Sequence, residues 1–196
     1  SSRALRWAWA GIFASALATR LLGLPAKLLS PAEAAQAMPS LDAARGQGWA
    51  SAVESPLLLV GNALLFALLG PGDGVARLLP ACAGVLIVML PLLWRKTLGE
   101  IGALAAATLI LVSPLTLFAS RRVDGATFGT LGAGLLLSLL LQIAGDEPSA
   151  GRLRSTMLAA GVALGAIGGP VFFDLLIPGL VLWASLHWIS SRRPAP

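Results

Sequence analysis

The run Leu78–Trp94, LLPACAGVLIVMLPLLW, and the run Ile101–Ala119, IGALAAATLILVSPLTLFA, decide the fold, with only RKTLGE (95–100) between them. Neither run contains an Asp, Glu, Lys or Arg. Each is close to the roughly 20 apolar residues that an α-helix needs to cross about 30 Å of hydrocarbon. Outward from this pair, Ala4–Leu24, Thr127–Ala144, Thr156–Gly169 and Phe172–Ile189 pass or nearly pass the same test. The last two are short and joined through Gly168-Gly169-Pro170, which suggests a tight helical hairpin. The 196 residues are 57% hydrophobic and 12% charged, whereas about a quarter of a typical soluble domain is charged. So few charges cannot cover a water-facing surface. The expectation is an all-α, polytopic membrane protein with about six transmembrane helices in a single transmembrane domain, residues 1–196.

The net charge of +5 would suggest nucleic acid in a soluble protein, but the basic residues fall in pairs at the ends of apolar runs. Arg3 and Arg6, Arg95 and Lys96, Arg152 and Arg154, and Arg192 and Arg193 have the placement of cytoplasmic flanks that set topology. No basic stripe is interleaved with aromatics, so no nucleic-acid partner is expected. Cys82 and His187 are the only residues of their kinds, which excludes both an intrachain disulfide and a Cys/His zinc site. Ala4–Leu24 follows two arginines as a signal peptide would. It lacks a clear small-residue cleavage site and stays apolar through Pro25, so it reads as a retained span.

Pro56–Gly70 is shorter, about the length of an interfacial or re-entrant segment. If it does not cross, both termini and the Arg95-Lys96 and Arg152/Arg154 loops share one side with eight of the Lys/Arg residues. The opposite side then holds Lys27, Arg45, Arg77, Arg121 and Arg122, and Arg20 lies within the first span. If it crosses, the bias largely cancels. The positive-inside rule therefore favours an external membrane-surface helix at Pro56–Gly70, with N and C termini cytoplasmic in an inner or plasma membrane. External loops then cover residues 25–77 and 120–125. Trp residues near the span ends fit an aromatic belt. The pairs Gly125/Gly129 and Gly161/Gly165 would let helix backbones approach closely.

In these external loops Glu33, Asp42, Glu54, Asp73 and Asp124 alternate with the five cations. Arg20, in the outer turn of the first span, needs a carboxylate or an escape to the interface. Glu33 is the expected partner. The order of further features is informative: Leu29-Ser-Pro-Ala-Glu33 after the first span, a proline-initiated apolar helix ending at Gly70, and Val75-Ala-Arg-Leu-Leu-Pro-Ala-Cys-Ala-Gly84. A basic pair, Leu98-Gly-Glu-Ile-Gly-Ala-Leu104, Ser113-Pro114 and Ser120-Arg-Arg-Val-Asp124 come next.

This order resembles the N-terminal membrane module of the GT-C glycosyltransferases, in the bacterial protein-mannosyltransferase and aminoarabinose-transferase branch, over nearly the whole chain. The resemblance implies transfer of a sugar from a polyprenyl-phosphate carrier at the external membrane face. It implies Glu33 and Asp124 as catalytic carboxylates, the second near the carrier phosphate or a divalent metal. Arg121, Arg122 and Arg20 are the implied phosphate-binding residues, since a guanidinium binds phosphate oxygens bidentately. The sequence departs from the family pattern at Ala32-Glu33, where an Asp-Glu pair is usual, and at Glu54-Ser55 before Pro56, where a Lys or His is common. It departs again at Ile167–Pro170, which replaces a Thr-Lys element. The competing class is a non-catalytic accessory subunit packed among membrane lipids and the other membrane proteins of a larger complex. A channel or transporter would need paired polar groups along a path, and Arg20, Asn62, Gln142 and Asp174 do not pair by spacing.

Overall fold

The computed structural model describes residues 3–48, 54–144 and 151–191. Helix dominates, and no strand occurs among the described residues. The described residues form ten α-helices in order: α1 Arg3–Leu21, α2 Pro31–Ala44, α3 Pro56–Leu69, α4 Asp73–Ala76, α5 Leu78–Met89, α6 Arg95–Val112, α7 Pro114–Ser120, α8 Ala126–Ala144, α9 Gly151–Gly168 and α10 Val171–Ser191. Among the described residues, three segments are long and apolar enough to cross a membrane: Arg3–Ala26, Leu78–Val112 and Ala126–Ile143. Shorter apolar helices lie at Pro56–Leu69 and Val171–Val181.

The middle segment is 35 residues long, roughly 50 Å if it were one straight helix. It is not straight. A 3-10 turn at Leu90–Trp94 and a left-handed Gly99 (φ 74°) interrupt it, and glycine adopts that conformation without the Cβ clash of other residues. The chain turns back there, so that Ile110 and Leu111 of α6 pack with Val85 and Val88 of α5 against Ala16 of α1. The Trp94 indole donates to Ser138 Oγ (2.7 Å) and ties this turn to α8.

One expected span has different limits. Ile101–Ala119 reads as a single apolar run, but the helix breaks at Ser113, whose ψ of 118° is extended, and restarts as α7. Pro114 causes the break, because its ring disfavours the α conformation in the preceding residue and it has no N–H to donate back.

The small-residue pairs do what their spacing suggests. A Cβ at Gly132 would lie 2.7 Å from Gly161 O and from Gly165 N, and one at Gly125 would meet Gly168 O. Helices α8 and α9 therefore touch backbone to backbone, the contact that small residues permit between helices without a hydrophobic drive toward association. Around them, Phe66, Ile87, Leu90, Val123, Phe128 and Leu131 form the main buried cluster.

Candidate functional site

The stretch between α1 and α2 is set by glycine, proline and serine. Gly23 takes φ 69° and ends α1, and Pro25 sits in a 3-10 turn. Ser30 then caps α2 in a reciprocal box. Its hydroxyl accepts from Glu33 N, while Ser30 N and Ser30 Oγ donate to Glu33 Oε2 (3.0 and 2.9 Å). The motif Ser-Pro-Ala-Glu thus starts a helix and fixes the Glu33 carboxylate at once.

That carboxylate meets Arg77 at the start of α5. Arg77 Nε donates to Glu33 Oε1 and Nη2 to Glu33 Oε2, both at 3.0 Å. The remaining guanidinium hydrogens go to the carbonyls of Leu24, Lys27 and Leu28. Val123 N adds a bond to Glu33 Oε1 (3.3 Å), joining the segment after α7 to the same clasp. Both side chains are buried. Burial alone would raise the Glu33 pKa, but the hydrogen bonds from Arg77, Ser30 and Val123 win and hold it at about 2. A carboxylate so saturated and so acidic is a poor proton acceptor near neutrality. Glu33 therefore acts as a fastener.

Arg20 does not pair with Glu33, contrary to expectation, because Arg77 occupies both carboxylate oxygens. Arg20 is fully buried, its Nη1 reaches Thr19 Oγ1 only at 3.4 Å, and its Nε and Nη2 have no partner. It lies beside Gly84, where a Cβ would collide with Ser120 Cβ and sit 3.1 Å from Arg20 Nε.

Arg121 and Arg122 lie just beyond α7. Arg121 donates to Thr19 O (3.1 Å) and Leu22 O (3.0 Å), satisfying carbonyls at the C-terminal end of α1 that lack helical partners. Arg122 rests over the Phe118 ring, 5.3 Å from its centroid. Together with Lys27, Glu33 and Arg77 they line an open cavity of about 1060 Å³ whose lining also includes Leu28, Pro114, Leu117 and Phe118.

Asp124 faces elsewhere. Its Oδ1 accepts from Ala126 N (2.9 Å) at the start of α8, and it borders a separate hollow of about 220 Å³ with Gln36, Glu54, Ser55 and Pro170. The Gln36 amide donates to Glu54 there (3.0 Å). So the structure brings Glu33, Arg121 and Arg122 to one cavity, sets Asp124 in its neighbour, and encloses Arg20 behind α7. The residues do not fit a divalent metal. Glu33 is committed to Arg77, and among the described residues no three His, Cys, Asp or Glu side chains converge.

Sequence reasoning gave Arg77 no role beyond a surface cation. The signal for it was the capping box at Ser30–Glu33, which announces a fixed carboxylate near the bilayer surface and so calls for a cation. Compared with protein families, curated proteins and solved structures, the chain matches none of them.

Proposed function

We propose that the chain is a GT-C-like membrane module that holds a polyprenyl-phosphate lipid at the external membrane face, supplying the binding site and not the catalytic base. The observation that carries this reading is the amphipathic cavity, whose lining combines Lys27, Arg121 and Arg122 with Leu28, Pro114, Leu117 and Phe118. Phosphate suits the cations and a prenyl chain the apolar residues. The locked state of Glu33 and the turn of Asp124 toward a different hollow argue against base catalysis of sugar transfer by this pair. That favours a carrier-binding partner within a larger membrane assembly.

In this reading the chain crosses six times with both termini cytoplasmic. The α5–α6 hairpin contributes two crossings and α9–α10 another two. Helix α3, at 14 residues, spans only about 21 Å and lies on the external side. Single cysteines at Gln36 and Arg152 in a Cys82→Ala background test the topology. Labelling of both from one side of a sealed vesicle refutes it.

The binding reading is tested with a photoreactive polyprenyl phosphate and the chain reconstituted in vesicles. Crosslinks are expected in the segment Pro114–Arg122 and around Lys27, and to be lost on competition with unlabelled carrier. Crosslinks spread evenly over the lipid-facing side of α10 overturn it.

A further inference from the structure

The charge in the cavity is unbalanced in a way that defines its ligand. Four cations and one carboxylate line it. Arg77 is fully engaged, with Glu33 and three backbone carbonyls taking all its donors, so this pair is internally neutral. Lys27, Arg121 and Arg122 remain with no other acidic side chain in the lining. Arg121 directs one hydrogen from each terminal nitrogen to the end of α1 and keeps its others. Arg122 lies over the Phe118 ring, 5.3 Å from its centroid, a contact with the π face that uses none of its N–H groups on an oxygen acceptor.

We propose that this cavity selects the dianionic phosphomonoester end of a membrane lipid, the unglycosylated carrier, over the phosphodiester that bears a sugar. The inference rests on the lipid-phosphate reading above and specifies its ligand. A phosphomonoester carries about −1.5 to −2 charges at pH 7 and offers three acceptor oxygens. A phosphodiester has a single charge and two free oxygens, so it leaves two of these three cations without a matching charge where the dianion leaves one. The apolar part of the lining includes Leu28 and Phe118, 85% and 63% exposed, and it gives the first prenyl units a surface that inorganic phosphate cannot use. A module of this kind retains the spent carrier and lets the loaded one pass.

The test uses the full chain in nanodiscs of zwitterionic lipid and three probes: farnesyl monophosphate, its methyl phosphodiester and inorganic phosphate. The monoester is expected to bind at least about tenfold more tightly than the diester at pH 8, the factor that one further charge retains beside several cations after solvent and salt screening. The preference should shrink by pH 5, because the monoester gains a proton with a pKa of about 6. The groups facing it are Lys27, Arg77, Arg121, Arg122 and the Glu33 carboxylate, and Glu33, with its pKa held at about 2, stays ionised across that range. Lys27→Gln and Arg122→Gln should each reduce the preference while thermal unfolding stays unchanged. Equal affinity for the two esters overturns the inference and leaves the lipid-phosphate reading standing. Failure of both esters to bind overturns both, and inorganic phosphate binding as tightly as the monoester overturns the lipid specificity.

Discussion

Glu33→Gln keeps the shape of the side chain and removes its charge, which isolates the worth of the clasp. In the folded chain the carboxylate accepts two hydrogen bonds from Arg77, two from Ser30 and one from Val123. A glutamine can present one oxygen to these donors, and its amide hydrogens would face N–H groups already there. Arg77 would then be a buried cation without a counter-charge. Two routes give the magnitude. The Glu33 pKa is lowered from 4.5 to about 2, and at 1.36 kcal/mol per unit that shift corresponds to about 3 kcal/mol of stability. Removing one partner of a buried ion pair typically costs about 3–5 kcal/mol. We expect a loss of about 3 kcal/mol, read by denaturant or thermal unfolding in micelles. Arg77→Met on top of Glu33→Gln should recover part of it, because the stranded cation is then gone. A Glu33→Gln chain within about 0.5 kcal/mol of the parent, or a double-mutant cycle with no coupling, would refute the reasoning.

The same geometry gives three further expected outcomes. Because the Glu33 pKa is depressed, the clasp contributes fully above about pH 4.5 and is lost as pH falls toward 2; an unfolding scan should show no Glu33-dependent loss of stability between pH 8 and 5, and a loss in that range contradicts the pairing. Gly132→Val would drive a side chain into the Gly161 and Gly165 backbone, 2.7 Å from the Cβ position, and should cost at least about 2 kcal/mol by forcing α8 and α9 apart; unfolding that matches the parent would mean the helices do not touch there. Arg20→Met removes a buried guanidinium with two unpaired nitrogens and should leave stability unchanged or raise it by about 1–3 kcal/mol, with farnesyl monophosphate binding unaffected; a large loss of either would show that Arg20 has an acceptor.

The helices were largely legible because hydrocarbon imposes a length and a composition that a sequence displays directly. Ala4–Leu24 anticipates α1 (Arg3–Leu21), and Thr127–Ala144 anticipates α8 (Ala126–Ala144). The break at Ser113-Pro114 was visible as a proline, but apolarity on both sides masked it, since hydropathy does not register a missing N–H. Helix α2, inside what reads as an external loop, has little apolar signal and depends on its Ser30–Glu33 cap. The cavity was partly legible. The pairing of Glu33 with Arg77 was not, because those residues stand 44 positions apart. Nearness in sequence made Arg20 look like the natural partner, whereas Arg77, at the start of α5, was the cation the folded chain brings to it. The orientation of Asp124 depends on a cap within its own turn, and composition cannot reveal which way such a short side chain points.

The clasp also sets an order of assembly. Arg77 and Val123 lie 44 and 90 residues after Glu33, and translation proceeds at about 5–20 residues per second. Glu33 must therefore wait several seconds for its counter-ion, and about 5–20 s for the last donor. During that interval α1 and α2 can be in place with a carboxylate that has its two Ser30 donors but no counter-ion. Closure of the clasp marks the moment at which three separately synthesised segments become one unit. A chain halted before residue 77 lacks the counter-ion, and one halted between residues 77 and 123 has the ion pair but lacks the Val123 donor that ties the segment after α7 to it.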